Sequence, residues 1–241
     1  IIDASEITPG ETVVEIGPGT GVLTRALVAA GARVIAIEAD RDLIPALRDE
    51  FGDMIELILG DALKFDYSLL PTPYSLCSNL PYNVGTEILM RFLTSSHPPE
   101  RCVVMVQKEV GERILAKRGD MSLLSLAVQL YTDPKRVLRV PPGAFVPPPK
   151  VESLVVRLDR NLKCPDPESV MALAKAGFRA RRKQLHRNLA DAGVMESGKT
   201  RVWLRSRGLS ESARAQELSP EDWIDLCYTV KEYGSSITPH S

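Results

Sequence analysis

Sulfur and imidazole chemistry have little to work with in this chain. Its 241 residues hold four cysteines, Cys77, Cys102, Cys164 and Cys227, with no Cys-x-x-Cys spacing. No disulfide framework or thiolate metal site is expected, and a reducing, cytoplasmic compartment is the default. His97, His186 and His240 form no ligand cluster, so no metal centre is expected either. No apolar run approaches the ~20 residues that a membrane-spanning helix needs, and no signal-peptide pattern is visible. Charge is nearly balanced, at −1 overall, which by itself is at odds with binding a polyanion. What remains, 44% hydrophobic and 25% charged residues, is ordinary globular composition, long enough for one large or two modest domains.

The charge balance hides a division. Residues 1–160 carry 17 Lys and Arg against 21 Asp and Glu, a net −4, while residues 161–241 carry 13 against 10, a net +3. The stretch 175–207 alone holds 10 basic residues against Asp191 and Glu196, a net +8. A local footprint for a polyanion is therefore present.

From residue 12 to about 110, apolar strands alternate with helices, the pattern of a parallel α/β sheet. The strands are expected at 12–16, 34–37, 55–59, 74–78 and 102–106, with a closing pair at 135–140 and 153–158, seven in all. Amphipathic helices are expected at 41–47 and 86–93, with further helices at 108–117 and 123–131. After Asp159 the β signal stops. Asn161 to Pro167 reads as a linker, and the rest as helical, which sets domains at 1–160 and 161–241.

Three strand ends converge on one kind of ligand. Thr12-Val13-Val14-Glu15-Ile16 runs into Gly17-Pro18-Gly19-Thr20-Gly21, and a helix then begins. Glycines in such a loop let backbone approach a nucleotide-like ligand at a helix N-terminus. The dinucleotide fingerprint has Gly-x-Gly-x-x-Gly spacing; here the spacing is Gly-x-Gly-x-Gly, preceded by an acid. Glu15 would repel a pyrophosphate but suits the cationic amino-acid moiety of S-adenosylmethionine. Glu38 ends the second strand 21 residues after Gly17, and an acid at about 20 residues suits ribose hydroxyls. Gly60-Asp61-Ala62 ends the third strand, where Asp61 could accept from the adenine amine of the cofactor. A nicotinamide dehydrogenase is the more distant alternative, with no hydride-transfer constellation to support it.

Asn79-Leu80-Pro81-Tyr82 follows the fourth strand. It admits two readings: a turn after a buried strand, or a site that holds a planar exocyclic amine while its nitrogen attacks a methyl group. The N6 lone pair of adenine is delocalised into the ring. The Asn79 side-chain oxygen and the Leu80 carbonyl can each accept one N6–H and free that lone pair. Pro81 stiffens the turn, and Tyr82 offers a face for a flipped base.

With these residues, the chain resembles the ribosomal RNA adenine N6,N6-dimethyltransferase family. The matching segments are Glu15 to Gly21, Glu38, Gly60-Asp61-Ala62, Asn79 to Asn83, Val106-Gln107-Lys108-Glu109-Val110, Phe145 to Ser153 and Phe178 to Leu185. They span nearly the whole chain in family order. The resemblance implies a Rossmann-like, seven-stranded sheet with an antiparallel last strand and a small helical domain that binds RNA. It implies S-adenosylmethionine held by Glu15, Gly17, Gly19, Gly21, Glu38, Asp61, Ala62 and Asn79. It also implies Phe145 opposite Tyr82 across the target base, though an apolar anchor for the Pro-rich loop is an alternative role for Phe145. The implied partner is small-subunit ribosomal RNA in a particle under assembly, met by a monomer without metal. The family's Gln-x-Phe-Leu-like motif before the first strand is absent from this sequence, which opens like the tail of a helix. Cofactor affinity and full activity of this exact chain are therefore left open, while the function that the resemblance implies is not affected.

Residues 170–192 read as one helix, with Met171, Ala174, Phe178, Leu185, Leu189 and Ala192 on its apolar stripe. Arg179, Arg182, Lys183, His186 and Arg187 then form a basic face, either solvated or aimed at RNA phosphates. Lys150 joins Arg179, Arg182, Lys183 and Arg187 as an expected RNA contact. Trp203 and Trp223 are expected in the helical core. Two alternatives stay open: a large-subunit enzyme of the antibiotic-resistance type, and a small-subunit assembly factor with methylation secondary. The Arg181-Arg182-Lys183 helix and the Pro-Pro-Pro-Lys-Val-Glu-Ser motif favour the small-subunit branch over the first.

Overall fold

The computed structural model describes residues 1–145 and 148–233. Val146 and Pro147 of the Pro-rich motif, and His240, lie outside the described residues. The chain opens on one helical turn, α1 (Ile2–Ser5), and then alternates: β1 (Thr12–Ile16), α2 (Val22–Ala29), β2 (Arg33–Glu38), α3 (Ile44–Phe51), β3 (Ile55–Leu59), β4 (Ser75–Asn79), α4 (Gly85–Leu93), β5 (Arg101–Gln107) and α5 (Lys108–Ile114). Next come α6 (Leu123–Tyr131), β6 (Thr132–Val140) and β7 (Ser153–Arg160), followed by α7 (Pro167–Phe178), α8 (Leu185–Asp191), α9 (Ser197–Ser206) and α10 (Pro220–Glu232).

The strands form a seven-stranded sheet in the order β3-β2-β1-β4-β5-β7-β6. Strands β1 to β5 run parallel and β7 runs antiparallel to β5, as the resemblance implied. Val13, Val14, Ala36, Leu76, Cys77, Val103 and Val104 are all buried, so these strands are covered on both faces. That explains why they read as unbroken apolar runs rather than as alternations. The order of connection reverses between β1 and β4, and a crevice at such a point is where open α/β sheets bind ligands.

Two compact units result: residues 1–112 with 133–160, and residues 113–132 with 161–241. The divide at 160/161 therefore needs a correction, because residues 113–132 leave the sheet-bearing unit. The reason is packing. Met121, Leu126 and Leu130 belong to the same apolar cluster as Leu173, Leu185, Trp203 and Trp223. Sequence order places α6 between strands, but its side chains are buried among helices.

A second correction falls within the helical unit. The single helix read over 170–192 is broken: α7 ends at Phe178 and α8 begins at Leu185. Asn188 Nδ2 donates to the carbonyls of Gly177 at 2.6 Å and Ala180 at 3.1 Å. This side chain takes carbonyls that a continuous helix would have bonded along its own axis. Gly177 also lets the Trp223 ring come close, since a Cβ there would lie 2.4 Å from Trp223 Cη2. The helices are capped by sequence-local means. Asp166 Oδ1 accepts the Ser169 N–H at 3.0 Å ahead of Pro167, and Ser219 and Asp222 form a capping box around Pro220. Among the described residues, no helix is long and apolar enough to cross a membrane.

Candidate active site

The glycine loop after β1 lies at the reversal point. Gly17, Gly19 and Gly21 have φ of +64°, +58° and +76°, a region that side chains rarely adopt. Gly21 is doubly constrained, because a Cβ there would lie 2.6 Å from the Phe51 ring. Gly17 N–H donates to Ile37 O at 2.9 Å, which ties the loop to β2.

Two carboxylates flank this loop. Glu15 is only 2% exposed, and its one side-chain partner among the described residues is the Thr24 hydroxyl, which donates to it at 2.7 Å. Burial pushes its pKa up to about 7; the Thr24 bond opposes the shift and the Glu38 charge adds to it. Glu38, also buried, accepts the N–H of Gly19 at 3.2 Å and of Asp40 at 2.9 Å. Neither acid has a cationic partner among the described residues. A pair of buried, uncompensated carboxylates beside backbone held open by glycines fits a cationic nucleoside such as S-adenosylmethionine, and disfavours a pyrophosphate. Asp61 lies further along the same sheet edge. It accepts the Leu63 N–H at 2.9 Å with one oxygen and lies 3.8 Å from Lys64 Nζ with the other. Ala62 is buried, and its carbonyl accepts from the Tyr67 hydroxyl at 2.5 Å.

Asn79 closes β4 beside this loop. Val13 faces Ser75 and Val14 faces Leu76, and counting on along that register brings Gly17 level with Asn79. The Ser78 hydroxyl donates to Ile16 O at 2.7 Å and locks the two strand ends together. Asn79 is exposed and has no side-chain hydrogen bond to a described residue, so both polar ends of its amide are available. Leu80 is anchored instead: its side chain is buried and its N–H donates to Met105 O at 3.1 Å. The turn then closes from Gly85 N–H to Pro81 O at 2.7 Å. Gly85 has no room for a Cβ, which would meet Leu80 Cβ at 2.9 Å. Tyr82 is 38% exposed, and its hydroxyl lies 2.8 Å from Ser153 Oγ. Phe145 is half-buried and packs against the apolar cluster of the sheet together with Val137 and Val140. At the far end of the Pro-rich motif, Glu152 pairs with Lys108, and that cation lowers the Glu152 pKa.

The structure thus gathers the glycine loop, Glu15, Glu38, Asp61, Ala62 and the Asn79–Tyr82 turn along one edge of the sheet. Residue patterns alone missed Thr24, Ser78, Gly85 and Ser153. Each acts through a contact 9 to 71 residues away or through lack of space, and neither leaves a local signal.

The basic residues are arranged differently from the expectation. Arg179, Arg182 and Lys183 lie in the turn between α7 and α8, and Arg187 lies on α8; all are exposed. They are not a rod along one helix, and Arg181-Arg182-Lys183 is not helical. His186 drops out of the basic face altogether. It is buried, with Nδ1 at 2.8 Å from Ser197 Oγ and Nε2 at 2.9 Å from Gln184 Oε1. Burial, then the charges of Arg201 and Arg187, lower its pKa. Lys150 is exposed in the sheet-bearing unit.

A family model described as ribosomal RNA adenine dimethylase matches residues 1–232. A protein of Syntrophotalea carbinolica named ribosomal RNA small subunit methyltransferase A is 40% identical over 241 residues, covering 97% of this chain and 91% of its own length. The crystal structure of a dimethyladenosine transferase from Plasmodium falciparum superposes with a TM-score of 0.83 at 25% identity, over 98% of this chain and 96% of that one. The 23S rRNA methyltransferase ErmE has the same fold, with a TM-score of 0.78 at 24% identity over 95% and 94% of the two chains. The chain belongs to the ribosomal RNA adenine dimethylase family.

Proposed function

We propose that this chain methylates N6 of adenosines in small-subunit ribosomal RNA, two methyl groups to each base, and that Asn79 and its turn hold the reacting amine. The observation that carries the reading is the side-by-side placement of the glycine loop and the exposed Asn79 amide, locked by Ser78, in a chain of this family. The ErmE likeness is one of fold, and the relatives near 40% identity are named for the small subunit.

S-adenosylmethionine supplies the electrophilic methyl group on its sulfonium. The chain's own residues do the rest. Glu15 balances positive charge beside the loop, Glu38 accepts from ribose hydroxyls, and Asp61 with Ala62 meets the cofactor's adenine. The Asn79 side-chain oxygen and the Leu80 carbonyl accept the two N6–H groups of the target, which turns the nitrogen lone pair toward the methyl carbon. Tyr82 and Phe145 clamp the base. Positioning and hydrogen bonds aimed at the attacking nitrogen supply most of the rate. No general base is needed, because the alkylated amine is a strong acid while cationic and gives its proton to water. Lys150, Arg179, Arg182, Lys183 and Arg187 hold RNA phosphates, the last four on the helical unit. The protein acts as a cytoplasmic monomer on a particle under assembly.

The test is transfer of tritiated methyl groups from S-adenosylmethionine to unmethylated small-subunit particles, with large-subunit particles and naked RNA in parallel, followed by nucleoside analysis. Dimethyladenosine from the small-subunit sample alone is expected. Label in the large-subunit sample would overturn the choice of substrate, and monomethyladenosine as the end product would overturn dimethylation.

A further inference from the structure

A stacking platform works best when its ring is already in place before the base arrives. Tyr82 is 38% exposed, so packing alone does not hold it. Its hydroxyl is tethered instead, 2.8 Å from Ser153 Oγ. Ser153 is fully buried at the start of β7, where it faces Gln107 of β5. Among the described residues, Tyr82 is the only side-chain partner of that buried hydroxyl. A buried hydroxyl without a partner is unfavourable, so the bond is held from the Ser153 side as well. The preceding residue stiffens the anchor: Glu152 pairs with Lys108 through its side chain, and its carbonyl accepts the Lys108 N–H at 2.9 Å. A bond at the far end of a tyrosine stops the ring axis from swinging about the Cα–Cβ bond and leaves both ring faces clear.

We propose that Ser153 is a positioning residue for methyl transfer, whose buried hydroxyl fixes the ring axis of Tyr82 where the target adenine stacks. This rests on the assignment of Tyr82 to the base platform.

The experiment compares Ser153→Ala, Tyr82→Phe, the double variant and Tyr82→Ala. Steady-state transfer to unmethylated small-subunit particles gives kcat and KM, calorimetry gives the S-adenosylmethionine Kd, and thermal melting reports the fold. Ser153→Ala and Tyr82→Phe should each lower kcat about three- to tenfold, the worth of one neutral hydrogen bond. KM and cofactor Kd should change little, and Tm should fall more in Tyr82→Phe, which leaves the buried Ser153 hydroxyl unpaired, than in Ser153→Ala. The double variant should be no slower than either single one, because both remove the same bond. Additive losses, a Tyr82→Phe protein with full kcat, or a Ser153→Ala loss that merely follows Tm would overturn the proposal. If Ser153→Ala does not fold, the surface variant Tyr82→Phe decides alone. Tyr82→Ala separates the two levels: if it also keeps full kcat, the platform assignment itself is wrong, whereas a slow Tyr82→Ala beside a fast Tyr82→Phe sinks only the tether.

Discussion

In the helical unit, the buried charged, amide and imidazole side chains are consumed by their neighbours, although the buried Trp223 indole N–H has no partner among the described residues. Asp222 meets Arg118 at 3.0 Å and Arg207 at 3.3 Å and caps α10, Asn188 bridges two carbonyls, and both His186 nitrogens have partners. In the sheet-bearing unit, Glu15 and Glu38 are as deeply buried, yet among the described residues they meet only one hydroxyl and backbone N–H groups. A buried charge without a counter-charge is unfavourable in the free protein. The difference separates polarity that holds a fold together from polarity kept in reserve for a ligand.

The largest expected effect breaks the reserved side. Asn79→Ala should slow methyl transfer about 10²–10³-fold, as losing one preorganised hydrogen-bond partner does. Its cofactor affinity, read by calorimetry, should fall far less than the rate, because the other cofactor contacts remain; a loss as large as the rate loss would place Asn79 in the cofactor site alone. Gly21→Ala and Gly177→Ala make a matched pair, since in each the new Cβ falls under 3.0 Å from an aromatic ring. Overpacking should lower stability by about 1–3 kcal/mol in both, with about 1–2 kcal/mol more at Gly21 for its left-handed backbone. Only Gly21→Ala should also weaken S-adenosylmethionine binding. Equal effects on binding would erase the contrast between the units.

Glu15 gives the contrast a pH dependence. Its folded pKa of about 7 lies above the ordinary 4.5, so the folded, ligand-free protein holds this proton more tightly than the unfolded chain. Stability should therefore fall as pH rises through that window, by about 3 kcal/mol in total. Glu15→Gln should flatten the curve of urea midpoint against pH; a curve of unchanged slope would show that Glu15 is not the group responsible. The smallest effect belongs to the surface. Lys183→Ala breaks an exposed pair with Asp191 at 3.1 Å and should change stability by under about 1 kcal/mol. If Lys183 meets a phosphate, particle binding should weaken and its salt slope should shrink by about 1.

Much of the sheet was legible because β-branched and leucine runs end at glycine, proline or acidic residues. The strand ranges read from pattern differ from those observed by at most three residues at either end, and α6 is where pattern placed it. The motifs of the site were legible for the same local reason, since each sits at a strand end. The break between α7 and α8 was not legible. Arg179 to Gln184 contains good helix formers, and the apolar stripe continues in phase across it. What stops the helix is Asn188, eight or more residues downstream, taking carbonyls that the helix would have used. The membership of α6 in the helical unit was hidden too, because strand–helix order says nothing about which core a helix faces.

Sequence by itself determined the strands, the glycine loop, the Asn79 turn and the family, because apolar runs, turn residues and motif spacing act over a few neighbouring positions. Tertiary structure alone decided the rest. It left Glu15 and Glu38 without a cation among the described residues, tied Tyr82 to Ser153, broke the basic helix and moved α6 to the second core. Each of those outcomes depends on atoms brought together from distant positions, whose desolvation, hydrogen bonds and excluded volume exist only once the chain has folded.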